Sequence, residues 1–180
     1  QEHHGFLPDL ERLKTLVTRE TKLIALTNPN NPTGALIERP MLEESVDIAD
    51  SVGAAVLCDE VYRGTAQAGD GISTSIVDLY PRGISTASTS KAFSLAGLRV
   101  GWIAAPTEIT EQIVIHRDYD TISVGMINDH FASIALENAD KLLARSQTIT
   151  RENLAKLETW IEGEPSVSWV KPRAGTTAMI

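Results

Sequence analysis

Ala54-Ala55-Val56-Leu57-Cys58-Asp59-Glu60 is the stretch on which the fold turns: an unbroken apolar run that stops at two carboxylates. A strand with one wet face alternates apolar and polar residues. A run that is apolar throughout is buried on both faces, as in a parallel sheet covered by helices. Leu23-Ile24-Ala25-Leu26 repeats the pattern upstream, and Ile84 to Ser88 repeats it more weakly downstream. Between these runs the period changes to that of a helix. Leu10, Leu13 and Leu16/Val17 recur at three- to four-residue spacing after Pro8, and Arg39 to Ser51 carries Leu42, Val46 and Ala49 on one side before Gly53 ends it. Leu98 to Ala104 reads as another strand, closed by Pro106. Helices are predicted over Glu108 to Arg117, Ile127 to Glu137 and Ala139 to Ile161. Gly163-Glu164-Pro165 then breaks the pattern, and Val167 to Val170 begins a predicted strand that runs toward Thr177-Ala178-Met179-Ile180. The fold class is α/β, a three-layer sandwich around a mainly parallel sheet. Residues 1–162 form one domain and residues 163–180 begin another unit.

Composition narrows the possible partners. The 180 residues carry 16 Lys plus Arg against 24 Asp plus Glu, a net charge of −8, which disfavours a nucleic-acid surface. No uncharged apolar run approaches the length of a membrane span, and Gln1 to Phe6 lacks the basic start and apolar core of a targeting signal. The lone cysteine, Cys58, excludes an intrachain disulfide framework, and a reducing, cytoplasmic setting fits it. His3-His4 reads as a solvated pair, because no acidic or cysteine ligand stands at zinc spacing; no metal site is expected.

Ligands of open parallel α/β sheets bind at the carboxyl ends of the strands. The first strand ends in Asn28-Pro29-Asn30-Asn31-Pro32-Thr33-Gly34, the densest turn cluster in the sequence. The second ends in Asp59-Glu60-Val61-Tyr62. The third runs into Ser88-Thr89-Ser90-Lys91-Ala92-Phe93-Ser94-Leu95-Ala96-Gly97-Leu98-Arg99-Val100-Gly101. An amide, a carboxylate, a phenol, two hydroxyls, an amine and a guanidinium thus converge on one edge. No histidine lies near for a Ser-His-Asp arrangement. Taken singly, each has an ordinary reading: a turn, a solvated acid pair, surface cations. Taken together, the set calls for a ligand.

On these three segments, in their order and separation, the sequence resembles pyridoxal-phosphate enzymes of the aspartate-aminotransferase fold type, class I/II aminotransferases in particular. The resemblance implies pyridoxal 5′-phosphate as cofactor, held on Lys91 as an internal aldimine, with Lys91 then serving as the general base of transamination. It implies that Asp59 pairs with the pyridine nitrogen and keeps it protonated, and that Tyr62 and Asn31 hydrogen-bond the phenolic oxygen. Arg99, Ser88 and Ser90 would hold the phosphate. The same cofactor residues serve lyases, decarboxylases, cyclases and oxidases of this fold. They also serve sensory domains of transcription regulators that take the cofactor as an effector. The resemblance further implies small-molecule partners, an amino acid and a 2-oxo acid, and a homodimer for the intact protein. The family's glycine-rich phosphate loop, ring-stacking aromatic and carboxylate-binding arginine have no counterpart here. Pro172-Arg173-Ala174-Gly175-Thr176-Thr177 resembles the entry to its small α+β domain. The chain is therefore expected to be part of a longer protein, its cofactor-binding large domain incomplete at the start and its small domain truncated.

Overall fold

The structure, a computed structural model, describes residues 2–180, the His3 side chain excepted. The reading of the His3-His4 pair therefore lies partly outside the described residues. In chain order the elements are α1 (Leu10–Leu16), β1 (Leu23–Thr27), α2 (Arg39–Asp50), β2 (Ala55–Asp59), β3 (Gly83–Ser88), β4 (Gly101–Ala104), α3 (Thr107–Arg117), α4 (Met126–Glu137) and α5 (Ala139–Glu162). Short 3-10 turns occupy Ile76–Asp78 and Ala96–Leu98.

The four strands form one sheet in the order β1-β2-β3-β4. The first three are parallel, with Thr27 opposite Asp59 and Asp59 opposite Thr86, while β4 runs antiparallel to β3 with Ser88 opposite Gly101. The sheet is thus mixed and mostly parallel, and α2 packs on one face of it; that face buries Ile24, Val56 and Cys58, while Leu23 is exposed and Leu57 half-buried, so the strands are not covered on both faces as their apolar runs predict. α1 starts where the Asp9 carboxylate accepts a hydrogen bond from the Arg12 N–H at 2.9 Å, and α2 starts with Pro40 in its first turn, where a missing N–H costs nothing. The buried face of α2 (Leu42, Val46, Ala49) lies on Ile24, Val56 and Cys58 of the sheet, with Ile76 and Tyr80 closing the cluster. The Tyr80 hydroxyl donates to the Ala54 carbonyl at 2.8 Å, so this phenol enters the core with its polar end satisfied.

Two strand expectations change. The strand expected over Leu98 to Ala104 is shortened to Gly101–Ala104, because the 3-10 turn Ala96–Leu98 and the left-handed Arg99 (φ 53°) occupy its beginning. No strand forms at Val167 to Val170 or beyond. A strand exists only when a neighbour pairs with it, and here the backbone of residues 173–175 hydrogen-bonds instead to the turn after β1 and the loop after β2. Among the described residues, no helix is long and apolar enough to cross a membrane.

Leu42 is fully buried in the centre of the core cluster. Leu42→Ala is expected to cost about 2–5 kcal/mol of stability. Denaturant titration checks this, as a lower midpoint with an unchanged slope.

Candidate active site

The carboxyl ends of three parallel strands and the amino end of β4 share one edge of the sheet. That last point follows from β4 being antiparallel: residue 99 sits just before β4 and so beside Ser88, where β3 ends. A fourth parallel strand would have carried Arg99 to the opposite edge.

The turn after β1 is held from below. Asn28, buried, donates from its amide nitrogen to the Ile37 carbonyl at 3.0 Å and accepts from the Ile37 N–H at 2.8 Å. Its own N–H donates to the Asp59 carbonyl at 3.0 Å. This two-way amide pairing closes residues 28–37 into a fixed loop and ties it to β2. Asn31 rides exposed on that loop; it shares the edge with Lys91 and Tyr62 but makes no hydrogen bond to either.

Asp59 is the last residue of β2, half-buried, and one carboxylate oxygen accepts from the Val61 N–H at 3.1 Å. Glu60 turns the other way. Its carboxylate is buried, accepting from the Ser75 hydroxyl and the Ile76 N–H, both at 2.7 Å, while its N–H donates to the Thr86 carbonyl at 2.8 Å. The pair that reads as a solvated loop start is therefore split: one acid at the edge, the other an internal anchor for the segment 75–76. Tyr62 is only 2% exposed, and the Lys91 ammonium stands 5.8 Å from the centre of its ring. That separation is within the range of a cation–π contact.

Lys91 and Arg99 project from one loop, 89–100, which Thr89 knots shut. Thr89 is buried; its N–H and its hydroxyl both donate to the Val100 carbonyl, at 3.1 and 3.2 Å, and its own carbonyl accepts from the Leu95 N–H at 3.0 Å. Lys91 is exposed. The Ser88 hydroxyl oxygen accepts from the Ser90 N–H at 3.2 Å, which leaves its proton free to donate elsewhere. One Arg99 guanidinium nitrogen donates to the Ala96 carbonyl at 2.9 Å, and the rest of the fork is free. A cavity of about 300 Å³ opens beside Lys91, walled by Ile149, Leu154 and Leu157 of α5 and by residues 175–178.

The segment 172–175 seals the far side of this edge. The Arg173 and Ala174 N–H groups both donate to the Gly34 carbonyl, at 2.9 and 3.0 Å. Gly34 has φ +67°, and a Cβ there would sit 2.8 Å from the Ala174 carbonyl oxygen, so only glycine admits this strap. Asn28, Glu60 and Thr89 lie inside segments that the sequence marks but carry no role of their own there, and residues 172–175 read only as part of the entry to a small domain. Nothing in residue type separates a buried anchoring amide or carboxylate from a solvated one.

Burial, with the Glu60 and Asp59 charges adding to it, pushes the Cys58 thiol up to about 12. At pH 8 its thiolate fraction is then roughly one part in ten thousand. Cys58 is expected to resist a thiol reagent at pH 8 in the native protein and to react fully in denaturant. Rapid native labelling would contradict its burial.

Comparison with known proteins places this geometry. The family described as aminotransferase class I and II matches residues 1–159. Capreomycidine synthase of Streptomyces vinaceus is 31% identical over 176 residues, which are 97% of this chain and 45% of that protein. Aromatic-amino-acid aminotransferase 2 of Thermococcus litoralis is 32% identical over 123 residues, 66% of this chain and 31% of the relative. Among solved structures, a PLP-dependent aminotransferase from Streptococcus suis superposes with a TM-score of 0.92 at 44% identity, over 97% of this chain and 46% of that one. The chain thus spans less than half the length of these relatives.

Proposed function

The chain belongs to the class I and II aminotransferase family, and from that premise we propose that the whole protein is a pyridoxal-phosphate-dependent aminotransferase, moving an amino group between an amino acid and a 2-oxo acid. What carries the reading is the donor set on one sheet edge: the Asp59 carboxylate, the Lys91 ammonium facing the Tyr62 ring at 5.8 Å, and Arg99 beside Ser88. An amine, a carboxylate and a cation with hydroxyls are the three groups that an aldehyde, a pyridine nitrogen and a phosphate on one small molecule require. The residues fit the cofactor.

Bound there, pyridoxal phosphate supplies an electron sink for the pair left at the substrate α-carbon. Lys91 Nζ would be the amine that binds the cofactor's aldehyde. The same amine would serve as the general base that takes up the proton at the substrate α-carbon. Asp59, with one carboxylate oxygen held by the Val61 N–H and the other available, would pair with the ring nitrogen and favour its protonated form. Tyr62 and Asn31 would donate to the ring's phenolic oxygen. The free part of the Arg99 fork, with the Ser88 hydroxyl and Ser90, binds the phosphate. Residues 1–162 form the cofactor-binding large domain, and residues 163–180 open the small one. The exposed Tyr119 and Ile122 between α3 and α4, with Met126 and Ile127 in the first turn of α4, support a homodimer, and the single buried Cys58 supports a cytoplasmic setting.

The test uses the whole protein loaded with cofactor. Single amino acids should convert it to the pyridoxamine form with release of the matching oxo acid, and Lys91→Ala should lose both the coloured adduct and this half-reaction while remaining folded. Ammonia and oxo acid released without the pyridoxamine form would overturn transamination, and a Lys91→Ala protein that keeps the borohydride-reducible adduct would overturn the role of Lys91.

A further inference from the structure

Tyr62 sits in a turn whose geometry is set by one hydroxyl. The Tyr62 carbonyl accepts from the Thr65 N–H at 3.1 Å and from the Thr65 hydroxyl at 2.6 Å. The Thr65 oxygen in turn accepts from the Gly175 N–H at 2.9 Å. Thr65 is 1% exposed, so no water substitutes for either partner. A hydroxyl has one proton and two lone pairs; with its proton on Tyr62 and a lone pair on Gly175, its rotation is fixed. Next to it, the Gln67 N–H donates to the Arg173 carbonyl at 2.9 Å. The strap 172–175 is therefore shared: residues 173 and 174 hold the turn that carries Asn31, through Gly34, and residue 175 holds the turn that carries Tyr62, through Thr65.

We propose that Thr65 is a positioning residue: by joining the Gly175 N–H to the Tyr62 carbonyl it fixes where the Tyr62 phenol stands relative to Lys91, and it makes that position depend on the strap 172–175. This rests on the reading of Tyr62 as a hydrogen-bond donor to the cofactor. Glu60 supports the same turn from its other end, since its carbonyl accepts from the Arg63 N–H at 2.8 Å and its carboxylate is anchored on Ser75 and Ile76. Two links cross to the strap, the Gln67 N–H to the Arg173 carbonyl and the Thr65 hydroxyl, and of these the Thr65 hydroxyl is the one that also holds the Tyr62 carbonyl. Its sequence separation, 110 residues from Gly175, explains why no local pattern announces it.

Thr65→Val keeps the shape of the side chain and removes both hydrogen bonds, whereas Thr65→Ser keeps both. The experiment is a pH titration of the visible absorbance of the whole, cofactor-loaded protein, for wild type, Thr65→Val, Thr65→Ser and Tyr62→Phe, well below each melting temperature. Thr65→Val is expected to move the midpoint in the same direction as Tyr62→Phe, by about half a pH unit or more, and Thr65→Ser to titrate like wild type. A merely structural role would lower the melting temperature without moving the midpoint. If Tyr62→Phe shifts and Thr65→Val does not, the positioning role is overturned while the assignment of the cofactor to Lys91 stands. A Tyr62→Phe protein that titrates like wild type also overturns it. If Lys91→Ala keeps the coloured adduct, the functional reading fails and this inference with it. Should Thr65→Val not fold, Thr65→Cys, of similar size and with weaker hydrogen bonds, carries the same test.

Discussion

β2 is hydrogen-bonded along both of its edges, and every feature of the site hangs on that pairing. Its register sets Asp59 between Thr27 and Thr86, so the ends of three strands arrive at one level. A slip of one residue would turn Asp59 into the core and Cys58 out of it. Burial of Val56 and Cys58 against α2 forbids that slip. The hydrophobic effect thus does not only hold the domain together; through the two-residue period of a strand it decides which way a carboxylate points.

The second constraint is the reversal at β3. Thr89 draws Val100 back to it, and the chain returns antiparallel, so that one loop presents Lys91 and Arg99 on the same edge. An amine that reacts and a guanidinium that binds can then share one ligand. The third is the strap 172–175, which ties the turn of Asn31 to the turn of Tyr62 by backbone hydrogen bonds to Gly34 and one threonine hydroxyl. Elements distant in sequence fix the small distances on which an active site depends. The acidic surface sets this edge apart: against a net charge of −8, two cations on one loop form a local site for an anion.

Much of this was legible in the residues. The run from Ala54 to Cys58 reads as a strand and forms one, Gly53 follows the end of α2, and the block from Ser88 to Gly101 carries the resemblance that implies the cofactor. Other features depended on partners that the sequence does not pair. The direction of β4 is decided by how the loop 89–100 closes, and Leu98 to Ala104 reads alike for either direction. Val167 to Val170 has the residues of a strand, yet the chain beyond it spends its backbone donors at 173–175 on a turn and a side chain. Glu60 and Thr65 look like loop polarity until their buried partners, Ser75 and Gly175, are seen.

The central claim is that this sheet edge is built around the amine of Lys91. Borohydride reduction of the whole, cofactor-loaded protein followed by peptide mapping tests it most directly. The account predicts a single pyridoxyl modification, on the peptide that contains Lys91. Modification of Lys14, Lys22, Lys141, Lys156 or Lys171 in its place, or of no lysine, would contradict it.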